Sequence, residues 1–326
     1  MAIPEVSVII PVYNCDRYIA QAIESILNQT YTDYEIIVID DGSTDNTREL
    51  LESYRGHINY LYQENQGVAM ARNRGIEIAK GQFVAFLDHD DFFLPNKLAL
   101  QVTILKTKIE LGIVHSGWYR VNSMGETLGE VEPWHQAPNL NLEEWVQWKP
   151  VLLSAMMFRK VWLDRIGGFD REFQQACDVD LALRLTLMGC QSGWLYQKLV
   201  CYREHDRNAS LDTPIQAQES WMVLDRFFAL PNLPGYIKEK EKSYRYHTLV
   251  WSAWRLYYRG HLSEMAQYLE KSLSYSPYSH TQTMSDWIKN FVKYGSEFGF
   301  SVDTYLLSNS VEWENLMERV ISNMKQ

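Results

Sequence analysis

The most informative run of this chain is Phe83-Val84-Ala85-Phe86-Leu87-Asp88-His89-Asp90-Asp91. Five consecutive apolar residues are typical of a strand buried on both faces, as in a parallel sheet covered by helices. If the strand continues, Asp88 and Asp90 point to the same face, because side chains alternate along a strand. Two carboxylates so placed can hold a divalent cation against a diphosphate.

A second apolar run, Glu35 to Ile39, also ends in carboxylates, at Asp40 and Asp41. Open parallel sheets bind ligands beyond the carboxyl ends of their strands. Solvated loops are the alternative interpretation of each acidic cluster taken alone. Because two strands deliver carboxylates to one edge, the pattern favours a binding site there.

The first half of the chain alternates short apolar runs with segments of helical periodicity. The strands are predicted at 6–12, 35–39, 58–62 and 83–87, and the helices at 18–29, 43–54 and 67–80. Ser43 or Thr44 is suited to cap the second helix. This alternation predicts an α/β fold, Rossmann-like, with a mainly parallel central sheet flanked by helices.

Beyond Pro95 the pattern is less regular. We predict helices at 97–111, 160–166 and 178–188, and strands at 113–121 and 151–159. Residues 122–150, rich in Gly, Pro and Trp, are expected to form a mobile or irregular lid over the site.

A change in composition near Thr213 predicts two domains, an α/β domain with the candidate binding site at 1–212 and an all-helical C-terminal region at 213–326. Helices at 247–258 and 262–275, joined at Gly260, are similar to one tetratricopeptide unit. A solenoid needs about three such units, so a helical cap on the catalytic domain is the favoured interpretation.

Net charge, apolar runs and cysteine spacing limit the classes of binding partner and the cellular compartment that we expect for this chain. A formal net charge of −10 argues against nucleic acid, whose binding needs a basic face. The N-terminus has no basic region before an apolar stretch, and no run of 18 apolar residues occurs, so neither secretion nor membrane spanning is predicted. Four dispersed cysteines form no C-x-x-C pair. We expect a cytoplasmic protein, with peripheral association at the inner face of the membrane left open.

Five motifs occur in order along the chain: Val6-Ser7-Val8-Ile9-Ile10-Pro11-Val12-Tyr13-Asn14, Ile39-Asp40-Asp41-Gly42-Ser43-Thr44-Asp45, Ala71-Arg72-Asn73, Asp88-His89-Asp90-Asp91 and Asp178-Val179-Asp180-Leu181. In order, spacing and chemistry they resemble family 2 glycosyltransferases over roughly residues 4 to 210. The resemblance implies the GT-A fold, a nucleotide-sugar donor, Mn²⁺ or Mg²⁺, a glycan or lipid-linked acceptor, and inversion at the anomeric carbon. The Gln-x-x-Arg-Trp signature of processive synthases is absent, which favours transfer of one sugar per encounter in glycan or cell-surface polysaccharide synthesis.

By resemblance, the nucleoside lies against Pro11, Val12 and Tyr13, with the Tyr13 ring facing a pyrimidine. Asp41 would accept the hydrogen of uracil N3, which favours UDP over CDP because cytosine has no hydrogen there. Helix capping is the alternative role for Asp41, although Asp40 could cap instead.

The family's contact to the diphosphate or the base matches Arg72, whose guanidinium suits phosphate oxygens. The alternative is an ion pair of Arg72 with Glu64 or Asp41.

By resemblance, Asp90 coordinates the metal directly, and Asp88 faces the ribose hydroxyls or a metal-bound water. His89 is expected to be structural. The segment Tyr202-Arg203-Glu204-His205 resembles the loop that closes over the diphosphate, so His205 is a candidate third metal ligand. The alternative is that His205 binds no metal.

Asp178 matches the catalytic base, which removes the acceptor's proton during attack. The family usually has Glu-Asp at this helix start, whereas this chain has Cys177-Asp178, which puts acceptor orientation in doubt. Asp180 is expected to be structural.

Two other functions compete with this interpretation. A nucleotidyltransferase would need a Gly-rich, basic loop after the first strand, and 11–15 contain neither Gly nor Lys. A catalytically idle nucleotide-binding or glycan-binding module is supported by Cys177 alone, while the retention of Asp88, Asp90 and Asp178 weighs against it.

Overall fold

The computed structural model describes residues 3–297 and 299–323. Met1 and Ala2, where the absence of a leader was predicted, lie outside the described residues, as do residue 298 and residues 324–326 of the predicted helical region. The chain divides into two compact units, Met1–Asn208 and Ala209–Gln326, slightly before the predicted boundary at 212. Each unit has its own hydrophobic core.

Nine strands are described in the first unit: β1 Val6–Val12, β2 Tyr34–Asp41, β3 Asn59–Gln63, β4 Phe83–Phe86, β5 Phe92–Phe93, β6 Leu111–Val121, β7 Thr127–Val131, β8 Met156–Arg159 and β9 Gln191–Arg203. Its α-helices are α1 Ile19–Leu27, α2 Thr47–Glu52, α3 Val68–Ile78, α4 Lys97–Thr107, α5 Leu142–Trp148, α6 Lys160–Ile166 and α7 Cys177–Leu187. Short 3₁₀ helices occupy Pro133–His135 and Leu153–Ala155.

The strands form one mixed sheet in the order β3-β2-β1-β4-β8-β6-β9-β5, with β7 paired to β6. The first four are mutually parallel, and β6 and β9 run parallel to each other. Strands β8, β5 and β7 are antiparallel to their neighbours. Six of the nine described strands therefore run in one direction, and their carboxyl ends share one edge of the sheet.

The sheet is covered on both faces, as its apolar strands require. On one face, Val8 and Ile10 of β1 pack in a core with α1 and α4. On the other face, Ile9 meets α3 at Gly75, where a β-carbon would overlap the Ile9 side chain. Glycine at this position thus lets α3 approach the sheet closely.

The prediction of an irregular lid at 122–150 is wrong in part. Within this segment, Thr127–Val131 is a strand paired antiparallel with β6, and Leu142–Trp148 is a helix whose Trp145 is buried. Asn141 caps that helix by accepting a hydrogen bond from the Glu144 N–H at 3.0 Å. Two ordered elements therefore form part of the sheet and its covering layer.

The second unit is helical throughout its described residues. Its α-helices are α8 Thr213–Ala229, α9 Gly235–Lys238, α10 Glu241–Tyr258, α11 Leu262–Ser272, α12 His280–Glu297, α13 Thr304–Ser308 and α14 Val311–Asn323, with 3₁₀ turns at Ala209–Leu211 and Leu273–Tyr275. The predicted helix pair joined at Gly260 corresponds to α10 and α11, and Gly260 has a φ of +82°. The core of this unit contains Trp254, Trp287 and Phe291.

Candidate active site at the carboxyl ends of the strands

The loops that follow β1 and β2 are joined through Asn14. Its Oδ1 accepts a hydrogen bond from the Thr44 N–H at 2.7 Å, and its own N–H donates to Ser43 Oγ at 3.0 Å. Asn14 has a φ of 49°, a left-handed conformation that asparagine tolerates. Tyr13, just before it, is 47% exposed and presents a ring at this edge, where Pro11 and Val12 are buried in β1.

The predicted helix cap at Ser43 or Thr44 is wrong. The structure has Asn46 at the N-cap of α2 with no side-chain cap, and the Thr47 N–H donates to Asp45 Oδ1 at 3.0 Å. Ser43 Oγ instead accepts from Asn14.

Asp40 and Asp41 organise the turn after β2. Asp40 accepts from the Ser43 N–H at 2.9 Å and from the Tyr60 hydroxyl at 2.8 Å. Asp41 accepts three hydrogen bonds, from Gln63 Nε2 at 2.6 Å and from the N–H groups of Gln66 at 2.9 Å and Gly67 at 2.8 Å. A carboxylate has about four acceptor positions, so about one position of Asp41, which is 3% exposed, is not used by these three hydrogen bonds.

The aspartates after β4 lie in a turn and do not continue the strand. Strand β4 ends at Phe86, and the Asp91 N–H donates to the Asp88 carbonyl at 3.0 Å. The expectation that Asp88 and Asp90 share a face by strand alternation is therefore wrong. The turn sends the Asp88 carboxylate to Arg72 and the Asp90 carboxylate to His205. His89 turns inward, and its Nδ1 lies 3.1 Å from the Pro11 carbonyl oxygen.

Asp90 and His205 form a close pair, with Asp90 Oδ2 3.0 Å from His205 Nε2. Burial acts to raise the pKa of Asp90, but the hydrogen bond from His205 and the charge of His89 outweigh it, so the pKa is lowered. No group of three or more His, Cys, Asp or Glu side chains arranged for a metal occurs among residues 3–297 and 299–323. The pair nevertheless fits Mn²⁺ or Mg²⁺ in its donor chemistry, since a diphosphate and water would supply the other ligands.

Arg203 holds the turn that contains Asp90 and Asp91 in place, a role that the sequence analysis did not predict. Its Nε donates to the Asp90 carbonyl at 2.8 Å, and its backbone N–H donates to Asp91 Oδ1 at 3.0 Å. The guanidinium carbon lies 4.6 Å from the centroid of the Tyr18 ring and 5.3 Å from that of Phe92. The motif position of Arg203, two residues before His205, was the only signal available in the sequence.

Arg72 joins two parts of the site. Its Nη2 lies 2.6 Å from Asp88 Oδ1, and its Nη1 donates to Cys177 Sγ at 3.3 Å. The alternative prediction, an ion pair with Glu64 or Asp41, is wrong, since Asp88 is the partner and Asp41 is bonded elsewhere. Arg72 is only 7% exposed, and its guanidinium stands 5.4 Å from the Phe169 ring centroid. The guanidinium thus links the turn after β4 to the N-terminus of α7.

Asp178 lies in the first turn of α7, and its Oδ1 accepts the Val179 N–H at 2.7 Å. Burial raises the pKa of the Asp178 carboxyl to about 6, although the nearby Arg72 guanidinium acts to lower it. Asp180 is held apart from it by an ion pair with Arg184 at 2.6 Å.

Asn73, next to Arg72 on α3, holds the backbone at Phe169 in the segment that precedes α7. Its Oδ1 accepts the Phe169 N–H and its Nδ2 donates to the Phe169 carbonyl, both at 2.8 Å. The preceding Gly168 has a φ of +73°, and a β-carbon there would overlap the Asn73 side-chain oxygen. Helix α3 and the turn before α7 are consequently matched to each other.

Comparisons of the sequence identify related proteins. The family model for glycosyl transferase family 2 matches residues 7–165. An uncharacterized glycosyltransferase of Rickettsia typhi is 37% identical over 227 residues, which are 68% of this chain and 70% of that protein. Chondroitin synthase of Escherichia coli is 30% identical over 247 residues, which are 72% of this chain and 34% of the synthase. The chain thus spans about a third of the length of that synthase.

Solved structures share the fold. TarS of S. aureus, in complex with UDP-GlcNAc, superposes with a TM-score of 0.63 at 18% identity, covering 91% of this chain and 92% of that one. The mannosyltransferase PcManGT from Pyrobaculum calidifontis, in complex with GDP-Man and Mn²⁺, gives 0.62 at 18% identity, covering 99% and 88%. These similarities confirm the predicted GT-A fold. None of the described helices has the length and apolar character that crossing a membrane requires.

Proposed function

Because the chain belongs to glycosyltransferase family 2, we propose that it transfers one sugar from a UDP-sugar to a hydroxyl group of a glycan or lipid-linked acceptor, with inversion at the anomeric carbon. The observation that carries the proposal is the position of Arg72. Its guanidinium contacts Asp88, the candidate donor-binding carboxylate, and its charge acts on Asp178, the candidate base. The buried Arg72 guanidinium therefore connects the candidate donor-binding carboxylate with the candidate base.

The uridine preference rests on the turn after β2. Asp41 retains about one acceptor position after its three hydrogen bonds, and a uracil N3–H would fill it. The half-exposed Tyr13 ring supplies an apolar face for the base, beside Pro11 and Val12. TarS, which shares the fold, is solved with UDP-GlcNAc, whereas PcManGT is solved with GDP-Man, so fold alone does not select the base.

In the proposed reaction, Asp178 accepts the proton of the acceptor hydroxyl as the hydroxyl oxygen forms its bond to the anomeric carbon. The bond between that carbon and the β-phosphate oxygen breaks, and its electron pair leaves with UDP. A carboxyl with a pKa of about 6 is mostly ionised at pH 7 and is still a stronger base than an exposed aspartate. Burial therefore suits Asp178 to this role.

Asp90 and His205 would hold the divalent cation, with Asp88 beside them and held by Arg72. When bound, Mn²⁺ or Mg²⁺ would act as a Lewis acid that neutralises charge on the departing UDP. Arg203 keeps the Asp90 turn in place through its hydrogen bond to the Asp90 carbonyl.

We infer a cytoplasmic location, at or near the inner membrane face for a lipid-linked acceptor. The four cysteines, which are all free thiols, support this location.

A panel of nucleotide sugars with and without Mn²⁺ tests the proposal. Thermal unfolding identifies the donor, because a ligand that binds the native state stabilises it by mass action. Release of UDP from the stabilising sugar, in wild type and in Asp178→Asn, then separates an enzyme from an idle binding module. Binding without release of UDP by the wild type under any acceptor condition would support the idle module. Stabilisation by GDP-sugars alone would exclude the UDP-sugar assignment.

A further inference from the structure

A pair of aromatic rings beside strands β6 and β9, which none of the assignments above uses, is a further surface feature of the first unit. The rings of Trp134 and Tyr196 lie 5.5 Å apart between centroids at an interplanar angle of 74°. Tyr196 is 63% exposed, and Trp134 is half-buried. Two ring faces near a right angle form a corner that is open to solvent.

The corner is held rigidly from beneath. The Trp134 ring lies against Gly117 of β6, where a β-carbon would come within 2.9 Å of the ring. Trp194 meets Trp134 edge-on at 6.0 Å, and its Nε1 donates to the Ala137 carbonyl at 2.6 Å. The pairing of β6 with β9 shifts register at this point, from Ser116 opposite Leu195 to Gly117 opposite Lys198. Tyr196 is therefore in a bulge, a device that re-aims side chains near binding sites.

Charged groups border the two rings. Lys198 Nζ lies 2.7 Å from a carboxylate oxygen of Glu130 and 2.7 Å from one of Glu132. Glu132 also contacts His135 Nε2 at 3.0 Å. The two carboxylates outnumber the one ammonium, so this border carries an excess of negative charge and is rich in hydrogen-bond acceptors.

The corner is connected to the helix that carries the candidate base. The buried His115 ring lies 4.7 Å from Trp194 on one side and is stacked 6.5 Å from Trp145 of α5 on the other. Helix α5 packs in turn against α7, which begins with Cys177 and Asp178. A continuous series of packed rings and helices therefore connects the aromatic corner with the helix that carries Asp178.

We propose that this aromatic corner, formed by Trp134 and Tyr196 and bordered by Glu130, Glu132 and Lys198, binds an uncharged saccharide of the acceptor. Ring C–H groups of a pyranose carry slight positive charge and complement the negative face of an aromatic ring. The carboxylates accept hydrogen bonds from sugar hydroxyls, and the ammonium donates to them. The net negative border disfavours polyanionic glycans. That the bound saccharide is the acceptor rests on the proposed transferase function. The proposal that the corner binds a saccharide does not rest on it.

Binding of neutral tetrasaccharides tests the corner directly. Titration calorimetry would use chitotetraose, cellotetraose and maltotetraose, with a hyaluronan tetrasaccharide as the anionic comparison. Loss of one stacking face costs about 0.5–1.5 kcal/mol, so Tyr196→Ala should weaken binding roughly two- to tenfold. Tyr196→Phe should retain the wild-type affinity. Tyr236→Ala, which removes a tyrosine that is 52% exposed in the second unit, is the matched control and should change nothing.

Three outcomes would overturn the proposal: no neutral tetrasaccharide binds the wild type, the anionic one binds more tightly, or Tyr196→Ala and Tyr236→Ala behave alike. Because Tyr196 is exposed, its replacement should leave the melting temperature unchanged, and this checks that the variant is folded. Release of UDP from UDP-sugars, measured with and without the tetrasaccharides, separates the two proposals. If no UDP is released in either case yet saccharide binding depends on Tyr196, the transferase assignment fails and the corner stands. If both variants release UDP while saccharide binding is indifferent to Tyr196, the corner fails alone.

Discussion

The imidazole of His205 bridges the Asp90 carboxylate and the backbone of its own loop. Its Nδ1 accepts the Arg207 N–H at 3.1 Å, so Nε2 carries the ring proton and donates to Asp90 Oδ2 at 3.0 Å. A metal ligand needs the lone pair of Nε2 instead. Coordination by Nε2 of His205 would therefore place the ring proton on Nδ1. Nδ1 could then no longer accept the hydrogen bond from the Arg207 N–H, so metal binding would change the backbone hydrogen bonding at 205–207.

Asp90→Ala is expected to abolish the dependence of UDP affinity on Mn²⁺, because it removes the carboxylate paired with His205. Mutation of a residue that only hydrogen-bonds to a metal ligand typically lowers metal affinity by about 10–100-fold. Removal of a ligand itself should therefore lower the Mn²⁺ affinity by at least roughly tenfold. Calorimetry with UDP, with and without Mn²⁺, measures the effect. Glu64→Ala removes an exposed carboxylate as a control. An unchanged Mn²⁺ dependence in Asp90→Ala would remove Asp90 from the metal site.

UDP should bind more tightly than CDP, because at position N3 uracil presents a hydrogen to Asp41 whereas cytosine presents a lone pair. A lost hydrogen bond to a charged group costs about 1.5–3 kcal/mol, which corresponds to roughly 10–150-fold in affinity. Competition by UDP, CDP and GDP against a fluorescent nucleotide gives the three affinities. Equal inhibition by all three would contradict the assignment of Asp41.

Asp178→Asn is expected to lose transfer while retaining donor affinity, because an amide of similar size cannot accept the acceptor's proton. General-base catalysis contributes about 10²–10⁴-fold, so the rate should fall by at least that factor. Rate assays and UDP titration are made on the same preparation. The anomeric configuration of the product is an independent check, and an α-linked donor should give a β-linked product. Near-wild-type transfer by the variant, or retention of configuration, would assign the base elsewhere.

The raised pKa of Asp178 also predicts a stability effect. A carboxyl with a pKa of about 6 in the folded state and about 3.9 when unfolded binds its proton more readily when folded. The free energy of unfolding contributed by this group therefore decreases as pH rises from about 4 to about 6. Asp178→Asn should raise the free energy of unfolding by about 1–3 kcal/mol at pH 7.5 and change it little at pH 4.

Denaturant unfolding at the two pH values measures this difference. Asp170→Asn, at another carboxylate of the same region, controls for a general loss of charge. A variant that is less stable than wild type at pH 7.5 would show that the ionised Asp178 is not penalised by burial.

Local sequence patterns predicted the elements whose apolar residues are contiguous. Strand β1 and helix α6 match the predicted ranges, and β2 exceeds its predicted range at both ends. Strand β9 was missed, because Gln191–Arg203 mixes Gly, Gln and Lys with apolar residues and acquires its strand character by pairing with β6. Likewise β7 contains Gly129 and lies beside β6 through contacts that no local pattern contains.

The sequence named candidate residues for the site, whose roles stay predictions, but it did not indicate how these residues pair. The motif positions indicated Asp41, Arg72, Asp90 and Asp178 without showing which of them touch. Arg72 and Cys177 are 105 residues apart in sequence, and their contact depends on how α3 and α7 pack. The strand-face argument for Asp88 failed because β4 stops at Phe86, and the turn that follows depends on a distant arginine, Arg203.

The match between Asn73 and Gly168 has a consequence for segment exchange among relatives. Asn73 bonds the backbone of residue 169 as a neighbouring strand would, and only glycine fits beside it at 168. A chimera that imports the region around Asp178 from another family member must therefore bring a compatible partner for position 73. Without that partner, the turn at residue 168 would no longer pack against α3, and the imported helix would be displaced relative to Arg72, the neighbour of Asn73 on α3.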